Sequence, residues 1–153
     1  MAKILSVNFD LDGTLADLYA RPTWLQELRA FDPTPYQEAK TMVNMSRLAR
    51  HIHRLQAKGI AVNVISWLSK ESNPHYDQEV TKAKLEWLRK HLPSVRFDNI
   101  YIVAYGVRKS TFVAHNGQHV LIDDEMPNLR EWVQAQCGYG VSPHKLFDIL
   151  ASL

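Results

Sequence analysis

Val7-Asn8-Phe9-Asp10-Leu11-Asp12-Gly13-Thr14-Leu15 is the stretch whose reading decides the fold. It closes an apolar run that begins at Ile4, and it closes it on two aspartates one residue apart, then a glycine and a threonine. That pattern reads as a buried strand delivering carboxylates to a sheet edge. Alternation along an extended chain predicts that Asp10 and Asp12 share a face, and Gly13 permits the sharp turn that must follow.

Three further apolar runs repeat the theme. Ile60 to Ile65 ends at Ser66 and Trp67, Asn99 to Ala104 forms another run, and His119 to Ile122 leads straight into Asp123-Asp124. Each is short and rich in β-branched residues, as buried strands are. Between them lie helical patterns. Thr23 and Gln26 have the spacing of a capping box for a helix through about Ala30, which Asp32-Pro33-Thr34-Pro35 stops, and Tyr36 to Val43 fits one or two further turns. Met45, Leu48, Ala49, Ile52 and Leu55 predict a longer helix that Lys58-Gly59 ends. Asn73-Pro74 reads as a loop. Val80, Ala83, Trp87 and Leu88 mark a helix ending near Leu92-Pro93, Leu129, Trp132 and Val133 mark the inner face of one beginning at Pro127, and Ser142-Pro143 caps the last. Continuous apolar strands alternating with amphipathic helices predict a parallel sheet covered on both faces.

The 153 residues fit one domain, and a chain of this size buries roughly 70% of its unfolded surface. Hydrophobic residues make up 46%, but no apolar run reaches the ~20 residues of a membrane span, so a soluble protein with no membrane partner is expected. The amino terminus has no long apolar segment or cleavage site of a signal peptide, and the expected location is cytoplasmic. A net charge of +2 gives no footprint for polynucleotide binding, and the seven histidines are scattered rather than paired at metal spacing. Cys137 is the only cysteine and reads as a packing residue.

In a parallel sheet, ligands bind beyond the carboxyl ends of the strands. Asp10 and Asp12, Ser66, and Asp123 and Asp124 therefore converge on one edge from three separate strands. Four carboxylates gathered there repel by about 4 kcal/mol per pair at roughly 4 Å and an effective dielectric near 20, so a cation is expected. Oxygen ligands without histidine or cysteine favour Mg²⁺.

These residues resemble the haloacid dehalogenase superfamily of phosphohydrolases. Its first motif, hydrophobic-Asp-x-Asp-Gly-Thr, stands here as Phe9-Asp10-Leu11-Asp12-Gly13-Thr14, and its second, a Ser or Thr after the second strand, as Ser66. The third is a lysine upstream of the last acidic strand, for which Lys109 is the best candidate, with Arg108, Lys70 and Lys84 as alternatives. The fourth, paired acids after an apolar strand, is Leu121-Ile122-Asp123-Asp124. The resemblance covers residues 4 to about 130. Within the superfamily the chain resembles short nucleotidase-like members from bacteriophages and, more distantly, 5'(3')-deoxyribonucleotidases.

The resemblance implies an α/β, Rossmann-like three-layer sheet, in one domain over 1–153, with a minimal helical cap insert at about 16–43. It implies Asp10 as nucleophile and Asp12 as general acid and base. Ser66 and the Trp67 amide would then hold the phosphoryl group, and Lys109 would neutralise it. Mg²⁺ would bind to Asp10, Asp12, Asp123 and Asp124, with the Asp12 backbone carbonyl as its donor. Thr14 is placed to assist through its hydroxyl or to shape the turn. Trp67, Arg21 and Trp24 are candidate substrate contacts, Trp67 either stacking a base or packing its loop. A nucleoside 5'-monophosphate is the expected substrate. A polynucleotide end and a small sugar phosphate are alternatives, and a receiver-like signalling domain or a non-catalytic phosphate-binding protein are rivals of another class.

Overall fold

In the computed structural model, which describes residues 3–153, the opening apolar run is β1 (Ile4–Phe9), and it lies at the centre of the sheet. The chain continues through β2 (Ala16–Asp17), α1 (Trp24–Arg29), α2 (Thr34–Glu38), β3 (Lys40–Thr41), α3 (Met45–Ala57), β4 (Ala61–Trp67) and α4 (Pro74–His91). There follow β5 (Asn99–Val103), a 3₁₀ turn at Lys109–Phe112, β6 (Gln118–Ile122), α5 (Met126–Gln134), β7 (Gly138–Val141) and α6 (Leu146–Ser152). Five strands form an all-parallel sheet in the order β5-β4-β1-β6-β7. The order reverses at β1, whose neighbours β4 and β6 lie on opposite sides of it. The carboxyl ends of β1, β4 and β6 therefore frame the crevice where such sheets take their ligands.

The two faces of the sheet are covered unequally. On one, Val7, Phe9, Val62, Val64, Val120 and Ile122 pack against Leu48, Ile52 and Leu55 of α3, Trp87 and Leu88 of α4, and Leu146 and Leu150 of α6. On the other, Ile65 and Leu121 meet Leu129 and Trp132 of α5, with Cys137 buried among them and Phe112 and Val113 of the β5–β6 connection alongside. That second face also carries a polar row, buried except at Asn99. Asn99 donates to Asn63, Asn63 to Asn8, and Asn8 to Ser6, whose hydroxyl meets His119 Nδ1 at 2.6 Å. The apolar reading of these strands overlooks it, because the row satisfies itself from strand to strand.

Several local expectations give way. Residues 40–41 are extended rather than helical, pairing antiparallel with residues 16–17 to make the stem from which α1 and α2 project. The Thr23 capping box does not form, because the Thr23 hydroxyl goes instead to the Glu27 carboxylate. Asn73-Pro74 is the start of α4 rather than a loop, with Asn73 Oδ1 accepting from the Tyr76 amide at 2.8 Å. Val133 faces solvent, since Leu129 and Trp132 already fill the inner face of α5. Ser142-Pro143 opens a short 3₁₀ turn, and α6 begins only at Leu146. No described helix is long and apolar enough to cross a membrane.

The edge strand β7 depends on a glycine. Gly138 has φ +130°, and a Cβ there would lie 2.3 Å from the His119 carbonyl oxygen. Gly138→Ala is expected to cost about 1–3 kcal/mol, read as a lowered urea midpoint with an unchanged m-value.

Candidate active site

The site begins where β1 stops. The extended conformation ends at Phe9, and the chain winds into a turn in which the amides of Leu15 and Ala16 both bond the Leu11 carbonyl at 2.9 Å. Gly13, at φ +82°, makes that turn possible, and a Cβ there would fall 2.2 Å from Asp124 Oδ2. Its missing side chain is what lets the loop after β6 close over the loop after β1. Asp10 and Asp12 line one cleft as expected, but the turn delivers them to different partners.

Asp10, 7% exposed, receives Lys109 Nζ on Oδ1 at 2.9 Å and the Thr14 hydroxyl on Oδ2 at 3.0 Å. Lys109 also donates to Asp123 Oδ2 at 2.7 Å, so a single buried ammonium joins the ends of β1 and β6. Asp123 is fully enclosed and accepts in addition from Asn128 Nδ2 and the Glu125 amide. Burial opposes the charge on Lys109, but the two carboxylates outweigh it and hold the ammonium above the ordinary lysine range. The 3₁₀ turn that carries Lys109 is anchored from behind, where Ser110 Oγ donates to Glu131 of α5 at 2.7 Å.

Asp12 belongs to a second lysine. Lys84, 1% exposed on the inner face of α4, donates to Asp12 Oδ2 at 2.7 Å, to Ser66 Oγ at 2.7 Å and to the Trp67 carbonyl at 2.6 Å. Burial raises the Asp12 carboxyl above the ordinary range, and Lys84 only partly offsets it. Lys84, an alternative to Lys109 for the third-motif lysine, is taken up instead by Asp12, Ser66 and the Trp67 carbonyl. It shares the helical spacing of Val80, Ala83, Trp87 and Leu88, and a lysine on that apolar stripe is a buried lysine in need of an acid.

Asp10, Asp123 and Asp124 offer oxygens within 4.8 Å of one another. The donor set is all oxygen and the approach of Asp124 is secured by Gly13, so these residues fit a hard divalent cation such as Mg²⁺. The Asp12 carboxylate lies outside this group because it is engaged by Lys84. Burial, then a hydrogen bond and repulsion from Asp10, push the Asp124 carboxyl up to about 8.

The cleft above these groups has a volume of about 630 Å³. Its walls include Tyr19, Trp24 and Tyr36 from the insert, and Trp67 and Tyr105 opposite, with Arg29 and Lys70 on the lining. Tyr19 and Trp24 meet edge to face at 5.0 Å. The indole of Trp67 donates to the Val107 carbonyl at 2.8 Å and its ring lies 5.0 Å from that of Tyr105, so this side chain braces the segment that carries Lys109. Arg21 is not brought to the cleft. Glu27 of α1 and Glu38 of α2 take its guanidinium, and it ties the insert together instead. Leu18, Leu28 and Tyr36 in turn seat the insert on Tyr76, Val80 and Ala83 of α4. Ser69, unremarked in the sequence, lines the cleft with a buried hydroxyl that has no hydrogen-bond partner among the described residues.

No protein-family model matches the chain, and neither does any curated protein. Solved structures do. The fold is similar to that of D,D-heptose 1,7-bisphosphate phosphatase from Burkholderia thailandensis, with a TM-score of 0.54 and 16% identity over 88% of this chain and 74% of that one. It is also similar to L-2-haloacid dehalogenase from Xanthobacter autotrophicus with chloropropionic acid covalently bound, with a TM-score of 0.50 and 12% identity over 98% and 83%. At these identities the likeness is one of fold, and it defines the class as a Rossmann-like α/β sheet with helices on both sides.

The raised Asp124 carboxyl has a measurable consequence. In the cation-free protein the folded state keeps a proton there that the unfolded chain has lost, so this group's contribution to stability falls as pH rises from about 4 to about 8. A cation displaces that proton and binds better as pH rises. Mg²⁺ is therefore expected to raise the Tm of chelator-treated protein more at pH 8 than at pH 7, and Asp124→Asn is expected to remove the difference.

Proposed function

We propose that the chain is a Mg²⁺-dependent phosphomonoester hydrolase of the haloacid dehalogenase type that acts on nucleoside 5'-monophosphates. The observation that carries this reading is the pairing of Asp10 with Lys109 at 2.9 Å beside the Asp123 and Asp124 carboxylates, at the switch point of the sheet. Asp10 attacks phosphorus, the bond to the leaving oxygen breaks, and Asp12 supplies the proton that oxygen takes up. Water then attacks the phosphorus of the aspartyl-phosphate and gives a proton to Asp12, and the bond to Asp10 breaks. Phosphate leaves with both aspartates restored.

Lys109 suits the role of the phosphate-binding lysine. An ammonium has three N–H donors, and Asp10 and Asp123 take two, leaving one for a phosphoryl oxygen in the cleft. Thr14 orients Asp10 through its hydroxyl, and Ser66 and the Trp67 amide flank the phosphoryl group. Asp10, Asp123 and Asp124, with the Asp12 backbone carbonyl, would hold Mg²⁺, which would neutralise phosphoryl charge when bound.

The nucleotide preference rests on the cleft. Its volume accommodates a small ligand, its aromatic walls supply apolar surface suited to a planar base, and Arg29 and Lys70 add positive charge at an otherwise acidic mouth. The chain works as one domain, with the insert at about 16–43 serving as a small fixed cap seated on α4.

Phosphate release is the test. Wild-type protein with Mg²⁺ is expected to hydrolyse p-nitrophenyl phosphate, and Asp10→Asn to lose on the order of 10³-fold or more in kcat, at or above the cost of removing one transition-state contact. Activity that survives this change, or excess chelator, overturns the mechanism. Across a panel of nucleotides, sugar phosphates and 5'- or 3'-phosphorylated oligonucleotides, the highest kcat/KM is expected for a 5'-mononucleotide. A higher value for an oligonucleotide end or a sugar phosphate overturns the substrate assignment while leaving the chemistry in place.

A further inference from the structure

Lys84 has no part in the reaction just described, yet it is one of the most buried charged groups in the molecule. Its ammonium has three N–H donors and makes three bonds, to Asp12 Oδ2, Ser66 Oγ and the Trp67 carbonyl, at 2.6 to 2.7 Å. No donor is left for a substrate. Lys109 differs in this respect, and it also lines the cleft, which Lys84 does not. The two lysines are therefore not interchangeable phosphate ligands.

The partners of Lys84 come from two separate places: Asp12 lies on the turn after β1, and Ser66 and Trp67 are the last residues of β4, so an ammonium carried by α4 fixes the position of that turn against the strand end. Only one oxygen of Asp12 is engaged. Oδ2 is held by Lys84, and Oδ1 makes no hydrogen bond among the described residues although Asp12 lines the cleft. The Tyr36 ring of the insert lies 5.0 Å from Lys84 Nζ and covers the ammonium from the cleft side. Low exposure and full use of its donors leave Lys84 one way of standing, and hence Asp12 one way of facing.

We propose that Lys84 is a positioning residue for proton transfer, which aims the Asp12 carboxylate at the leaving oxygen and registers it against Ser66. The inference rests on the phosphohydrolase reading above and adds to it a residue that never touches the substrate. Its effect must then depend on whether the leaving group needs a proton. A p-nitrophenolate departs without one, and a nucleoside alkoxide does not.

The experiment is single-turnover release of the leaving group by wild type and Lys84→Met, with p-nitrophenyl phosphate and with a nucleoside 5'-monophosphate. For Lys84→Met the nitrophenolate step is expected to fall less than about threefold and the nucleoside step at least about thirtyfold, within the 10²–10⁴ that positioned proton transfer contributes. KM is expected to change little. Equal losses on both substrates, or none, overturn the proposal. A second comparison reads the same point should Lys84→Met alone fold poorly. Asp12→Asn combined with Lys84→Met removes both charges of the pair together, and its residual nucleoside rate is expected to equal that of Asp12→Asn alone. A further loss in the double variant overturns the proposal. Wild-type protein that releases phosphate from neither substrate overturns the hydrolase reading and this inference with it, whereas an active wild type with a uniform Lys84→Met defect overturns the inference alone.

Discussion

The ammonium of Lys109, held between Asp10 and Asp123, is the interaction on which the rest of the site depends. Two carboxylates, one 7% exposed and one fully buried, stand at the ends of adjacent parallel strands. Without a cation between them they repel in a setting that water screens poorly. Removing one member of such a buried group typically costs about 3–5 kcal/mol, because the remaining charges are left unpaired. Much of the surrounding structure serves to keep Lys109 in place. Ser110 is tied to Glu131, Trp67 to the Val107 carbonyl, and Phe112 and Val113 pack against the cluster of Ile65, Leu121, Leu129 and Trp132.

A second lysine gives the first strand's two acids different characters. Asp10 is held by Lys109 and Thr14 beside the acidic pair after β6, and Asp12 is turned to Lys84, which also holds Ser66. Gly13 is the hinge of this division, since its positive φ ends the extended conformation and its lack of a Cβ admits Asp124. The result is an asymmetric pair two residues apart, one acid in the carboxylate cluster that could hold a cation and one outside it. The insert adds to the asymmetry from above, where Tyr36 covers Lys84 and Trp24 and Tyr19 border the cleft.

Much of this was legible in the sequence because burial writes a strong pattern. The apolar runs at Ile4–Phe9 and His119–Ile122 end on acids, and the spacing of Leu48, Ile52 and Leu55 marks α3, so the parallel sheet and the arrival of Asp10, Ser66 and Asp123 at one edge could be read directly, whereas Lys109 was singled out from other basic residues only by the resemblance. What was not legible is where pattern fails. Gly138-Tyr139-Gly140-Val141 has no apolar run to announce it and is a strand, because its glycines allow close approach to β6 and Leu129. The stem at residues 16–17 and 40–41 is too short for any periodicity. Arg21 could be read as a substrate ligand only because Glu27 and Glu38, its partners across the insert, are not paired with it by sequence. Lys84 could be offered only as an alternative to Lys109, because nothing in the helix that carries it, whose charged residues are otherwise solvated, pairs it with Asp12.

The central claim is that Asp10 forms a covalent bond to phosphorus. Acid quenching of wild-type protein during turnover of p-nitrophenyl phosphate, followed by peptide mass spectrometry, tests it directly. A phosphoryl adduct confined to the peptide containing Asp10, formed at the rate of nitrophenolate release and absent in Asp10→Asn, is the result expected. Phosphate release with no adduct, or with the adduct on another residue, contradicts it.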